Sequence, residues 1–536
     1  PATLVPSEAN LTFEQIKLAN AETLPSPFET GRLEFANVEE DGEMVVNPAY
    51  EELDIDMDEV IRAKDVLDTI VNPTKIKLEK IVKLRELDEI DRFRNVLVSL
   101  KNLGTSDIPN RVANLINKRR DEIYSNPGSS ETKLTVRETK SEIQAQERKI
   151  EHTKIKEALN EIISDISHNY IYLQEKNVDI NCVQEYYEKQ IPIIKTEEET
   201  VLFFEYLLNE FYDNHLTLRT NTNSSFRLFA PIYATIENGK LIVTNIWQTQ
   251  IESSNQNIIG AEIIKFNGIE FEQVIKDFPT HCNDKSFPET KEWIANKILA
   301  GRYNEPRILS LKLSNKKEIE YNLDSIKLKN NDGLLDSKTF NKIGVIKINN
   351  SLGNDNLVSK FDKTLNEVSN TKGLIIDLRN TIFGGDSYEA RGIMSRFIKE
   401  PKPYQKHSFI EKSENNPNVE RNWVEYVIPR LEQYEKPVVI LVGRWTGSMG
   451  EGLAIGFEGM KRAEIVGSEM RRLAGEVYDF GFKHQRFGYK LSTAKLYHIN
   501  GTIREKYIPT NYVKQTTTNK DETLEKGIKL INKLTE

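Results

Sequence analysis

Two short segments in the second half of the chain are apolar almost without interruption, and they restrict the fold more than anything else in the sequence. KGLIIDLR (372–379) and PVVILVG (437–443) read as strands buried on both faces, the pattern of a parallel sheet covered by helices. Their neighbours fit that architecture. IGVIKI (343–348) and AEIVG (463–467) read as further strands, and LVSKFDKTLNEVS, SYEARGIMSRFI and SMGEGLAIGFEGM as the helices between. The spacing predicts a layered α/β core over residues 328–536.

The stretch before it has a different texture. RLFAPIYATIENGKLIVTNI predicts a hairpin turning at Asn238-Gly239, GAEIIKFNGIEFEQVIKDF a second tight turn at Asn267-Gly268, and RILSLKLSNKKEIEYNL a hairpin near Asn315. Together they predict a small β module over residues 227–327. Residues 131–226 are helical by apolar spacing and end in TEEETVLFFEYLLNEFYDNH, which carries His215. Residues 61–130 form a small helical unit that closes in the turn-rich SNPGSSE. Residues 1–60 hold 15 acidic and 2 basic residues, so the net charge of −9 is concentrated in an extended acidic arm. That arm reads either as a solvated tail or as a segment that docks on a basic surface, through which residues 1–130 could also self-associate.

Composition excludes several classes. An acidic balance gives no footprint for nucleic acid, and no apolar run is long enough to span a bilayer. Cys182 and Cys282 stand a hundred residues apart without metal-ligand spacing, which argues against a disulfide framework and against a cysteine-built zinc site. No HExxH pair is present, and neither a metal nor another cofactor is implied. The opening PATLVPSEAN has neither a basic nor an apolar signal region, and removal of a signal leaves an exported location open.

Four places carry candidate chemistry. Ser448 follows the strand PVVILVG at the start of a helix, where unpaired N–H groups point outward and can hold an oxyanion. The pattern is close to a nucleophile elbow, although Thr446 stands where that motif has its first glycine. A plain N-cap serine is the competing reading. In DLRNTIFGGDS, Gly384 and Gly385 put a loop without side chains at the carboxyl edge of the sheet, where ligands bind in open α/β folds. The alternative is an ordinary glycine turn. His215 reads locally as a helix-end histidine, and Glu505, in HINGTIREKYIPTNYV, as a surface residue between two strands.

Taken in order, these stretches resemble the tail-specific, or C-terminal processing, protease family, and in particular its tricorn-core-like branch. The resemblance runs through NYIYLQEKNVDINCVQEYYEKQI with LLNEFYDNHLTL, IGVIKINNSL with KGLIIDLRNTIFGG, VVILVGRWTGSMGEGLAIGFEGMKRAEIVG and NGTIREKYIPTNYV. It implies a crotonase- and ClpP-like core, a PDZ-like module at about 227–327, and a serine endopeptidase acting on proteins or peptides. GAEIIKFNG is similar to the family's module signature, with Ala261 in place of an acidic residue. The bacterial Ser/Lys dyad is not matched, because Leu473 in VGSEMRRLAGE falls on the lysine's position about twenty-five residues after the serine. The resemblance instead implies Ser448, His215 and Glu505, with an oxyanion hole from Met449 and from Gly384 or Gly385. Gly450 for the usual second serine, Asn214 before the histidine and Arg504-Glu505-Lys506 for the usual closing sequence depart from the pattern. An inactive relative that binds peptides or assembles is the alternative function.

Overall fold

A computed structural model describes residues 150–536 except 253–255, 331–332 and 413–415; before residue 150 it describes only the strand pair Asn37–Val38 and Met44–Val45. The chain divides into two units, 1–147 and 148–536, and the second contains the sheets and helices that build the site. The expectations for the acidic arm, the 61–130 helical unit and SNPGSSE lie outside the described residues.

The two uninterrupted apolar segments form the centre of a six-stranded sheet. Its order is Leu335–Phe340, Ile343–Ile348, Gly373–Asp377, Val438–Val442, Glu464–Gly467 and Asn511–Tyr512, parallel except for the first pair. Gly373–Asp377 and Val438–Val442 are buried at every position, with Ile376 opposite Ile440. One face packs on the helices Leu357–Glu367, Ser387–Met394 and Met449–Gly459 through residues such as Phe361, Ile393 and Leu453. The amphipathic helix Glu522–Leu534 closes the other face with Ile531. Both faces are therefore dry, as parallel strands require.

A second sheet was not legible in the sequence. Lys402–Glu411, Val419–Val427, Glu476–Gly481 and Gly488–Tyr497 pair antiparallel, in the order Val419–Val427, Lys402–Glu411, Gly488–Tyr497, Glu476–Gly481. The helices His152–Asn169, Ile180–Gln190 and Glu197–Asn209 share a core with it, in which Phe204 and Leu207 meet Phe482 and Tyr489. A capping box between Thr196 and Glu199 starts the third helix. The short strand Thr217–Leu218 then pairs with Gly488–Tyr497.

Between residues 227 and 327 the chain turns at Asn238-Gly239 and at Asn267-Gly268. Asn238 and Gly239 have φ of 51° and 78°, Asn267 and Gly268 49° and 80°, the left-handed pairs that tight hairpins need. The strands of this module run Ile232–Glu237, Lys240–Ile246, Glu262–Phe266, Ile308–Lys312 and Glu318–Asn322, and the helix Pro288–Ala300 packs against them. Trp247 joins the module to the core, stacked 5.5 Å from Trp445 and donating to the Arg379 carbonyl at 3.0 Å.

Three local expectations are corrected. The helix before His215 ends at Asn209, so the histidine sits in the following loop and caps no helix. Glu505 lies in a single 3-10 turn, Arg504–Lys506, where a strand-turn-strand was expected. Cys182 and Cys282 form a disulfide, joining the helical region to the loop before Pro288–Ala300. Sequence distance gave no hint of that pairing because the fold brings their Cα atoms to 5.8 Å.

Candidate active site

The site lies where two parallel strands end. Val438–Val442 leads through Gly443 to Ser448, the residue at the N-terminus of the helix Met449–Gly459. Its backbone has φ 48° and ψ −115°, whereas a capping serine has the extended conformation of the β region. A non-glycine residue is held there only when its surroundings force it, and such strain gathers at functional positions. The constraint is visible. A Cβ at Gly447 would lie 2.3 Å from the Ile382 carbonyl oxygen, and one at Gly450 2.2 Å from Thr381 Oγ1. Neither position has room for a side chain.

Gly373–Asp377 supplies the facing loop. Arg379 locks its start, paired with Asp377 at 2.7 Å and Asp521 at 2.6 Å. Asn380 accepts from Trp247 and from Thr249, so it fixes the loop to the module. Gly384 lies against the serine: a Cβ there would come within 2.5 Å of Ser448 Cβ and 2.6 Å of Met449 N. The Gly384 N–H donates to the Thr381 carbonyl at 3.0 Å. Among the described residues, neither the Met449 N–H nor the Gly385 N–H has an acceptor.

His215 shares a cleft of about 740 Å³ with Ser448, Gly385, Arg471 and Leu473. Its Nδ1 lies 2.9 Å from the Ala474 carbonyl, a contact that needs the proton on Nδ1 and leaves Nε2 as the basic nitrogen. Burial pushes its pKa down to about 4, opposed by the negative charge of Asp213. Asp213 Oδ1 accepts the His215 backbone N–H at 2.8 Å, and Oδ2 accepts from Tyr170 at 2.9 Å.

Glu505 does not reach His215. Its buried carboxyl faces the Tyr172 hydroxyl without a well-formed hydrogen bond, and burial raises its pKa. Arg504 beside it donates to the Leu473 and Gly475 carbonyls at 3.1 and 2.9 Å, on either side of the Ala474 carbonyl that holds His215. The fold thus brings Ser448, Met449, Gly384, Gly385 and His215 together, while Glu505 is not among the residues that line their cleft.

Two residues at the site were missed from sequence, Asp213 and Glu451. Glu451 is fully buried one turn into the serine helix. It accepts from the N–H groups of Ser448 at 2.9 Å, Arg472 at 2.8 Å and Leu473 at 3.1 Å. Its pKa rises to about 7, as desolvation outweighs Arg504 and the three donors. The signals were present: Ser448 and Glu451 have capping-box spacing, and Asp213 stands two residues before the histidine. Leu473 is buried, so the lysine position holds no base. Among the described residues no cluster of His, Cys, Asp and Glu could hold a metal ion, and no helix is long and apolar enough to cross a membrane.

Residues 342–513 match the model of peptidase family S41, and residues 151–209 that of the tricorn protease C1 domain. Ser448, the glycine pair and Glu505 fall in the first range, while His215 lies between the two. Mature CPAF is a similar solved structure, 14% identical, with 72% of this chain and 97% of that one covered and a TM-score of 0.48. The photosystem II D1 C-terminal processing protease is 14% identical over 67% of this chain and 93% of its own, with a TM-score of 0.43. A putative peptidase from Parabacteroides merdae is 13% identical over 70% and 96%, with a TM-score of 0.41. No curated protein matches the chain.

Proposed function

Since the chain belongs to the tail-specific proteases of peptidase family S41 and is a serine peptidase, we propose that Ser448 is its nucleophile and His215 its general base. The observation that carries this reading is the backbone of Ser448, strained at the start of a helix beside the unpaired Met449 and Gly385 N–H groups. His215 Nε2 takes the Ser448 proton as Oγ attacks the peptide carbonyl. The oxyanion that forms is held by Met449 and Gly385, because the Gly384 N–H is already engaged; each such donor contributes about 3–4 kcal/mol to the transition state. The imidazolium then protonates the leaving amine, and water, activated by the same nitrogen, releases the acyl group. The neutral ring that burial enforces is the form this step needs.

Asp213 stabilises the imidazolium electrostatically. We assign Glu505 an indirect part: with Arg504 it supports the 473–475 segment whose carbonyl orients His215. We further propose that the core is crotonase- and ClpP-like and that residues 227–327 are a PDZ-like module, consistent with an antiparallel sheet flanked by helices.

A fluorophosphonate probe tests the nucleophile. Labelling of the full chain that vanishes in Ser448→Ala is expected; label retained in Ser448→Ala, or none on the native chain, overturns the assignment.

A further inference from the structure

The cleft that holds Ser448 and His215 is lined by four cationic side chains, Arg219, Lys297, Arg471 and Lys490, against two acidic ones, Glu205 and Asp386. The acids are partly committed. Asp386 Oδ1 accepts the Tyr388 N–H at 3.0 Å, and Glu205 Oε1 the Phe226 N–H at 3.0 Å. Two of the cations are committed too: Arg471 donates to the Ile382 and Leu228 carbonyls, and Arg219 lies 3.5 Å from Asp479.

Lys297 differs from them. It comes from the module helix Pro288–Ala300 and is partly buried, with Nζ 5.9 Å from the centre of the Phe226 ring and 5.8 Å from that of Trp293. Among the described residues no carboxylate is within ion-pair distance of it and no acceptor takes its hydrogens. Burial pulls its pKa down; Glu205 works against that, while Arg471 and Arg302 add to it. An ammonium group removed from water is costly unless an anion meets it. Held against the two rings and, among the described residues, without an ion-pair partner, Lys297 is positioned in advance, so an arriving carboxylate gains the attraction with less ordering left to lose.

We infer that this cleft takes an acidic peptide segment, with Lys297 receiving a substrate Asp or Glu carboxylate close to the bond that is cut. The inference rests on Ser448 being the nucleophile. A side chain is favoured over a chain-terminal carboxylate because the excess charge is spread around the cleft, and a single terminus would answer only one of the cations. Lys297 is then a specificity-determining residue and takes no part in the chemistry.

The test is hydrolysis of internally quenched peptides, amidated at the carboxyl end, that carry Glu, Gln or Leu at each position near the cleaved bond. At one position the Glu peptide should exceed the Gln peptide about ten- to hundredfold in kcat/KM, the range for a charge-assisted contact. Lys297→Met, which keeps the aliphatic stem over the aromatic rings, should bring that ratio to about one. Lys297→Glu should invert it toward Lys-containing peptides. Fluorophosphonate labelling of each variant reports an intact site separately from specificity. Labelled protein that cuts Glu and Gln peptides equally overturns this inference alone. So does a preference that Lys297→Met leaves in place, or one seen only with free carboxyl termini. A native chain that takes no label overturns the Ser448 reading and this one with it.

Discussion

The two walls of the cleft are built by different means. The wall with Ser448, Met449 and Gly385 is backbone geometry: strand ends, a helix start, and glycines where any Cβ would collide. The wall with His215 and Lys297 is side chains on a loop and on a helix of another sheet, held by the Ala474 carbonyl, buried carboxylates and a disulfide. Glu210, five residues before the histidine, accepts the N–H groups of His281 and Cys282 at 2.7 and 3.0 Å, beside the Cys182–Cys282 bond. Steric constraint leaves the first wall one conformation. The second can keep its shape and still change its charge, so proton affinity and specificity are adjusted there.

Breaking the first wall should have the largest effects. Ser448→Ala should lower kcat by about 10⁶-fold with an unchanged thermal midpoint, as loss of a nucleophile does in serine peptidases. Gly385→Ala should cost about 10²–10³-fold in kcat, the worth of one oxyanion donor, because its Cβ would lie 2.1 Å from the Leu352 carbonyl carbon and move the loop. A Gly385→Ala variant with native kcat would show that the donor lies elsewhere.

The second wall should respond first in stability. Replacing both Cys182 and Cys282 by serine opens a loop of a hundred residues, for which chain entropy gives about 4–5 kcal/mol. Denaturant unfolding should register that loss. Ser448 labelling well below the transition should be slowed much less than by His215→Ala. Equal slowing would mean that the bridge positions the base as well as stabilising the fold.

The same contrast explains what the sequence made legible. Uninterrupted apolar strands and glycine-rich loops are local patterns, so the core sheet, the turns at Asn238-Gly239 and Asn267-Gly268, and a glycine loop at the carboxyl edge of the sheet could be read from them, whereas only the resemblance joined that loop to Ser448. His215 could not: its loop is defined by contacts with Ala474, 259 residues away, and only resemblance singled it out. The disulfide and the antiparallel sheet are likewise long-range. Val419–Val427 is exposed at most of its positions and carries charges, so it lacks the alternation that marks a half-buried strand. Lys297 sits in PETKEWIANKILA, where a lysine on an amphipathic helix reads as solvated until tertiary packing covers it.

The smallest expected effects are in pH dependence, and they separate the two walls most finely. His215, with its pKa pushed down to about 4, must be neutral to accept the serine proton, so kcat/KM should fall as the pH drops through about 4. An ordinary histidine would give that limb near 6.5. The same shift has a stability consequence of definite sign. The unfolded chain binds the proton more readily, so the fold loses roughly 3 kcal/mol as the pH falls from about 6.5 to 4, and no more from this group below that. Glu451 must also be deprotonated, but its limb lies at higher pH, since its pKa is raised to about 7 and it is the carboxylate that holds the Ser448, Arg472 and Leu473 N–H groups. A limb near 7 would therefore report the serine wall, and one near 4 the histidine wall. Asp213→Asn distinguishes them. It removes the charge that favours the imidazolium and keeps one oxygen to accept from the His215 N–H. It should move the lower limb further down and reduce kcat by about tenfold, while a limb that belongs to Glu451 stays where it was. If Asp213→Asn leaves the lower limb unmoved, the group titrating there is not His215, and the base has to be sought among the other residues of the cleft.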